Sequence, residues 1–152
     1  MAEECRKAAE AAGHEVTLVD VAHKKIAGCL ACEYCHGQGQ GACAQKDDMQ
    51  MIYEKLRETD MLVLASPIYY HNISGQLKCV IDRFYAALYP TAPARLKKAA
   101  MFLASGDEDM DAGARFSYEG DFLGYLGLED GGLFTNHDED VLDKIAAMAA
   151  AL

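Results

Sequence analysis

Basic side chains are scarce in this chain. Its 14 lysines and arginines stand against 24 acidic residues, for a formal net charge of -10, and no run of basic residues builds a face. That balance argues against binding nucleic acid by neutralising phosphates. Long apolar runs are lacking too: Met61 to Ala65 is far short of the roughly 20 residues that cross a bilayer. The N-terminal stretch MAEECRKAAE carries no hydrophobic signal region, so the expected location is cytoplasmic, with no membrane partner. No internal repeat or separate linker appears, and neither a P-loop nor a G-x-S-x-G elbow is present. Asp107, Asp109 and Asp111 begin like a calcium loop, but Ala112 stands where that loop needs glycine and Tyr118 where it needs glutamate.

What is present fits one domain. The 152 residues are 51% hydrophobic and 25% charged, a composition that buries a single core without disulfide staples. Six cysteines in a reducing compartment read as free thiols or metal ligands.

Along the chain, Cys5, Ala8, Ala9 and Ala12 fall at helical spacing before Gly13, where a helix ends. HEVTLVDVA follows and predicts a strand over Glu15 to Val21. The stretch from Cys29 to Cys43 is glycine-rich and aperiodic, a loop long enough to need something that organises it. Asp47 or Asp48 is expected to cap a helix bearing Met49, Ile52, Tyr53 and Leu56 on one face. MLVLA, residues 61 to 65, predicts a buried parallel strand that breaks at Ser66-Pro67. Ser74 opens a helix with Leu77, Val80, Ile81 and Phe84 on one side. Residues 97 to 105 predict another buried strand, 112 to 126 an ill-defined helical region, and GGLFTN, 131 to 136, a last strand. Asp138 is expected to cap a final helix whose Val141, Ile145, Met148 and Leu152 face the core. This alternation predicts an α/β fold with a parallel sheet and helices on both faces.

Two stretches then carry a family resemblance: GCLACEYCHGQGQGACAQKDDM, residues 28 to 49, and ASPIYYHNISGQLKCVIDRFY, residues 65 to 85. Their spacing and order resemble the NAD(P)H-dependent FMN reductases of the iron-sulfur flavoprotein type. The resemblance implies a flavodoxin-like, three-layer, doubly wound parallel sheet of strand order 2-1-3-4-5. It also implies a first strand and phosphate loop ahead of the first helix. Met1 already falls within that helix, so the expectation is a domain over 1–152 that is N-terminally incomplete and extends upstream.

Open sheets of this kind bind ligands at the carboxyl ends of their strands. Ser66, Pro67, Ile68, Tyr69, Tyr70 and Asn72 lie at such an end, and Pro67 fixes the path of the backbone donors after it. The resemblance assigns Pro67 to Asn72 to the ring and ribityl chain of FMN, with Ser105 and Gly106 at the far edge. NAD(P)H is the implied hydride donor, a small molecule or a redox protein the acceptor, and a homodimer or homotetramer the implied assembly. His71 needs no acid or base role in hydride transfer, and Lys78 and Arg83 receive none. Cys29, Cys32, Cys35 and Cys43 give C-x2-C-x2-C-x7-C, which leans towards a 4Fe-4S cluster, with zinc or free thiols as alternatives. Cys5 and Cys79 read as packing residues. A rival reading is a metal-binding or iron-sulfur electron-transfer module without NAD(P)H activity, and a third is an inactive fragment.

Overall fold

The computed structural model describes residues 1–152. Its helices are α1 (Ala2–Ala11), α2 (Met49–Leu56), α3 (Gly75–Arg83), α4 (Tyr85–Leu88), α5 (Ala112–Ser117) and α6 (Val141–Ala150). Its strands are β1 (Met61–Tyr69), β2 (Asn72–Ile73), β3 (Lys98–Ala104) and β4 (Glu129–Thr135), ordered β2-β1-β3-β4. β1, β3 and β4 run parallel, and β2 folds back on the end of β1 as an antiparallel hairpin.

Side-chain alternation along β3 divides the core between the two faces of the sheet. Ala99, Met101 and Leu103 pack with α2, α3 and α4, whereas Ala100 and Phe102 pack with Cys5 and Ala9 of α1 and Ile145 and Ala149 of α6. Two packed faces require continuous apolar strands, as β3 is. Gly131 of β4 shows how tightly the sheet closes. A Cβ there would stand 2.9 Å from the Ala99 carbonyl oxygen, a backbone atom with no room to retreat. Gly131→Ala is expected to lower stability by about 1–3 kcal/mol, measured by urea unfolding.

The expected strand over Glu15 to Val21 does not form. Residues 14 to 20 make no ladder, and Val21–His23 closes a short 3-10 turn under an Asp20 side-chain cap. A strand exists only with a partner, and between Met61 and Pro67 β1 has one on a single side, β3. Val16, Val19 and Val21 still pack against the core. The sheet thus holds the expected third, fourth and fifth strands as adjacent parallel neighbours in that order, with an edge hairpin at the end of the third and without the expected strand over Glu15 to Val21.

β1 also runs past the expected break, to Tyr69, with Pro67 inside it. A residue without an N–H is tolerated where one side of the strand is open. The ill-defined region resolves into α5 followed by a π-helical turn, Tyr118–Tyr125. Asp138 does not cap α6: Asp140 takes that place without a side-chain bond, and Asp138 accepts instead from Thr135 N and Oγ1. Leu152 lies beyond α6 and is exposed rather than in the core. No helix is long and apolar enough to cross a membrane.

Candidate functional site

The residues expected to hold a flavin converge at the carboxyl ends of β1 and β3, where Ser66 pairs with Leu103 and Pro67 with Ala104. That register sets Ser105 and Gly106 beside the β1–β2 hairpin. Ser66 is buried and acts as a latch. Its Oγ donates to the Pro67 carbonyl at 2.8 Å and accepts from Ser74 N at 2.9 Å, while Ser74 Oγ caps α3 through Leu77 N. One pair of serines thus fixes the base of the hairpin to the start of the next helix.

The hairpin tip is strained. Tyr70 and His71 have φ of 50° and 62°, a left-handed pair that two-residue hairpins ordinarily fill with Asn-Gly. Bulky residues there cost on the order of 1–3 kcal/mol each and persist only where their surroundings dictate the shape. The backbone N–H groups of Tyr70 and His71 make no bond within the protein, and neither does that of Gly106. Tyr69 and Tyr70 project outwards, Tyr70 completely exposed. Asn72 turns inward on itself, its Oδ1 accepting from Ile73 N.

The Ser105 turn is held from a side that the sequence did not reveal. Asn136, just past β4, accepts from Ser105 N through Oδ1 at 2.9 Å and donates from Nδ2 to the Ser105 carbonyl at 3.1 Å. His137 Nε2 also bonds that carbonyl. With its own N–H engaged, Ser105 shapes the turn, and Gly106 offers the free donor. The free N–H groups on two adjacent turns suit an electron-rich ring edge, so the donor set fits a flavin.

The cysteine loop forms a second locus. Cys29, Cys32, Cys35 and Cys43 all line one cavity of about 20 Å³, together with Tyr53, Arg83 and Tyr85. Cys43 is buried, Cys35 half-buried, and Cys29 and Cys32 are exposed. The thiols share the cavity but do not converge as a metal-holding set. By chemistry four soft donors fit a thiolate-bound metal. Their arrangement departs from the expected coordination because much of the loop is open to solvent and its sulfurs are not drawn to one point.

Beneath the cavity lies a buried clasp. Arg83, 1% exposed, donates from Nη1 and Nη2 to the two carboxylate oxygens of Asp47 at 2.9 and 3.1 Å. It also donates to the Ala27 carbonyl at 3.0 Å and from Nε to Tyr53 Oη at 3.2 Å. Tyr53 returns a bond to the Arg83 carbonyl. One guanidinium therefore joins Ala27, ahead of the first loop cysteine, to Asp47, after the last. The hydrogen bonds from Arg83 hold the Asp47 carboxyl below the usual carboxylate range. Burial pushes the Tyr53 phenol up to about 12, against the pull of Arg83. The two expected caps of α2 divide the work: Asp48 occupies the N-cap position without a cap bond and accepts from Lys25 N, while Asp47 Oδ1 accepts from Met49 N at the start of the helix. Lys78 pairs with Asp82 on the outside of α3.

Residues 1–119 match the family model described as NADPH-dependent FMN reductase. An iron-sulfur flavoprotein of Methanocaldococcus jannaschii is 38% identical over 96 residues, 63% of this chain and 48% of the relative. One from Archaeoglobus fulgidus is 34% identical over 105 residues, covering 69% of this chain and 53% of the relative. The chain thus spans about half the length of these curated relatives. Among solved structures, RosB with bound 8-demethyl-8-formylriboflavin-5'-phosphate superposes with a TM-score of 0.71 at 17% identity, over 98% of this chain and 68% of that one. An NAD(P)H:quinone oxidoreductase from Methanothermobacter marburgensis gives 0.63 at 17%, over 99% and 84%. At such identities the likeness concerns the fold, which is flavodoxin-like.

Proposed function

Because the chain belongs to the NADPH-dependent FMN reductase family, we propose that it is an FMN-dependent oxidoreductase that takes hydride from NAD(P)H and passes electrons to a small acceptor. The observation that carries this reading is the adjacency of the Ser66–Asn72 hairpin and the Ser105–Gly106 turn, each with unbonded N–H groups. FMN, when bound, supplies the two-electron carrier. The chain's own contribution is electrostatic. The N–H groups of Tyr70, His71 and Gly106 are fixed in advance and stabilise negative charge on the ring edge without reorganising. Tyr69 and Tyr70, free of the core, are available to cover a ring face and exclude water. No side chain is required to move a proton.

A second part of the reading is a 4Fe-4S cluster on the four loop cysteines, on their spacing and on the names of the relatives. Cys29, Cys32, Cys35 and Cys43 would hold it, and it would supply one-electron transfer to a redox protein; assembly as a homodimer or homotetramer belongs to the same reading. A metal-binding module without NAD(P)H activity would keep the cavity and lack the flavin site.

Titration with FMN, followed by its fluorescence, and then NADH or NADPH oxidation by the loaded protein tests the proposal. Tyr69→Ala combined with Asn72→Ala is expected to weaken FMN binding by about 1–2 kcal/mol, since the backbone donors remain. A chain that binds neither FMN nor the bare flavin ring refutes the reading.

A further inference from the structure

The strained turn at Tyr70 and His71 needs a support, and α5 supplies it. Gly113, in the first turn of α5, lies so close to the hairpin that a Cβ there would stand 2.7 Å from the His71 carbonyl oxygen and 3.0 Å from Asn72 Nδ2. The first of these is backbone on a turn with no slack. The helix itself has no use for a glycine at this position, since its φ is not left-handed and alanine is the better helix former. The absent side chain is explained by the hairpin alone.

The hairpin is otherwise restrained only at its base, by the Ser66 latch and the pairs Ile68 with Ile73 and Tyr69 with Asn72. The two-residue connection between Tyr69 and Asn72 favours the left-handed pair, but those contacts leave the tip itself without a side-chain or packing support. The backbone of α5 lies directly against His71 and Asn72 and supplies that support.

We propose that Gly113 is a positioning residue for the flavin ring: by letting α5 seat against the turn, it holds the Tyr70 and His71 N–H groups in the one shape that presents them. The inference rests on the flavin reading above. Lumiflavin, which carries the ring without the ribityl phosphate, is the suitable probe. Its dissociation constant is measured by fluorescence quenching for the wild type, Gly113→Ala and Gly120→Ala, the last at a glycine with nothing within 4 Å. The expected result is binding at least tenfold weaker in Gly113→Ala and unchanged in Gly120→Ala. Amide exchange at Tyr70 and His71 should be faster in Gly113→Ala, with the fold retained and the thermal midpoint lowered no more than in Gly131→Ala. Wild-type affinity in Gly113→Ala overturns the inference and leaves the flavin reading standing. Loss of the fold in that variant overturns it as well, because the role is then structural. A wild type that binds no lumiflavin overturns the flavin reading itself, and the inference with it.

Discussion

Arg83→Met should lower the stability of the folded chain by about 3–5 kcal/mol, the loss expected when one partner of a buried ion pair is removed and the other is left charged. Asp47 would then keep only the N–H groups of Ala27 and Met49. Urea unfolding at neutral pH measures the loss. Replacing Asp47 with leucine in the same chain should recover much of it, since the stranded charge is gone. The pH dependence follows from the sign of the Asp47 shift. Its folded carboxyl titrates below the unfolded value, so the stability it contributes is complete above the unfolded value, about 3.9, and is lost as pH falls through the depressed one. The gap between wild type and Arg83→Met should therefore narrow below about pH 4. A gap that stays constant to pH 2 would show that Arg83 acts through packing alone.

If the four cysteines hold a cluster, Cys32→Ser should abolish iron binding outright. After anaerobic loading the wild type is expected to hold about four iron atoms per chain and the variant none, by iron and sulfide analysis. The thermal midpoints of the iron-free proteins should coincide, because Cys32 is exposed and outside the core. Cys43→Ser differs: that thiol is buried in the main apolar cluster, so the substitution should lose both iron and stability. A wild type that takes up no iron under these conditions removes the cluster and leaves the flavin site to stand alone.

Much of this was legible in the residues, and the part that was not has physical causes. The apolar spacing of Met49, Ile52, Tyr53 and Leu56 gave α2, and all four are buried. The unbroken run through Met101 and Phe102 gave β3, whose seclusion on both faces leaves no polar alternation to misread. The stretch from Glu15 to Val21 misled because strand formation is decided by a neighbour and a local pattern names none. The π-helical turn at Tyr118–Tyr125 has no distinctive spacing of its own. The spacing of the thiols placed them on one loop and leant towards a cluster, but convergence of sulfurs depends on how the loop folds back. Asn136 and His137 were missed because their partner, Ser105, is 31 and 32 residues away. Arg83 did leave a trace: it falls three residues after Val80, on the side of α3 that Leu77 and Val80 give to the core. A charge on an apolar stripe implies a buried partner, though not that the partner is Asp47.

The sheet also dictates how the chain must arrive at it. Each parallel rung joins residues far apart along the chain, Met61 to Lys98 and Lys98 to Glu129, so two long loops must close before either buried strand gains a neighbour. Until β3 docks, β1 offers unpaired backbone groups on both sides, and even in the folded chain most of its outer side stays open. An apolar strand in that condition templates its like from another chain. Intermolecular pairing through MLVLA thus competes with docking of β3 and gains with protein concentration, whereas closure of the loops does not.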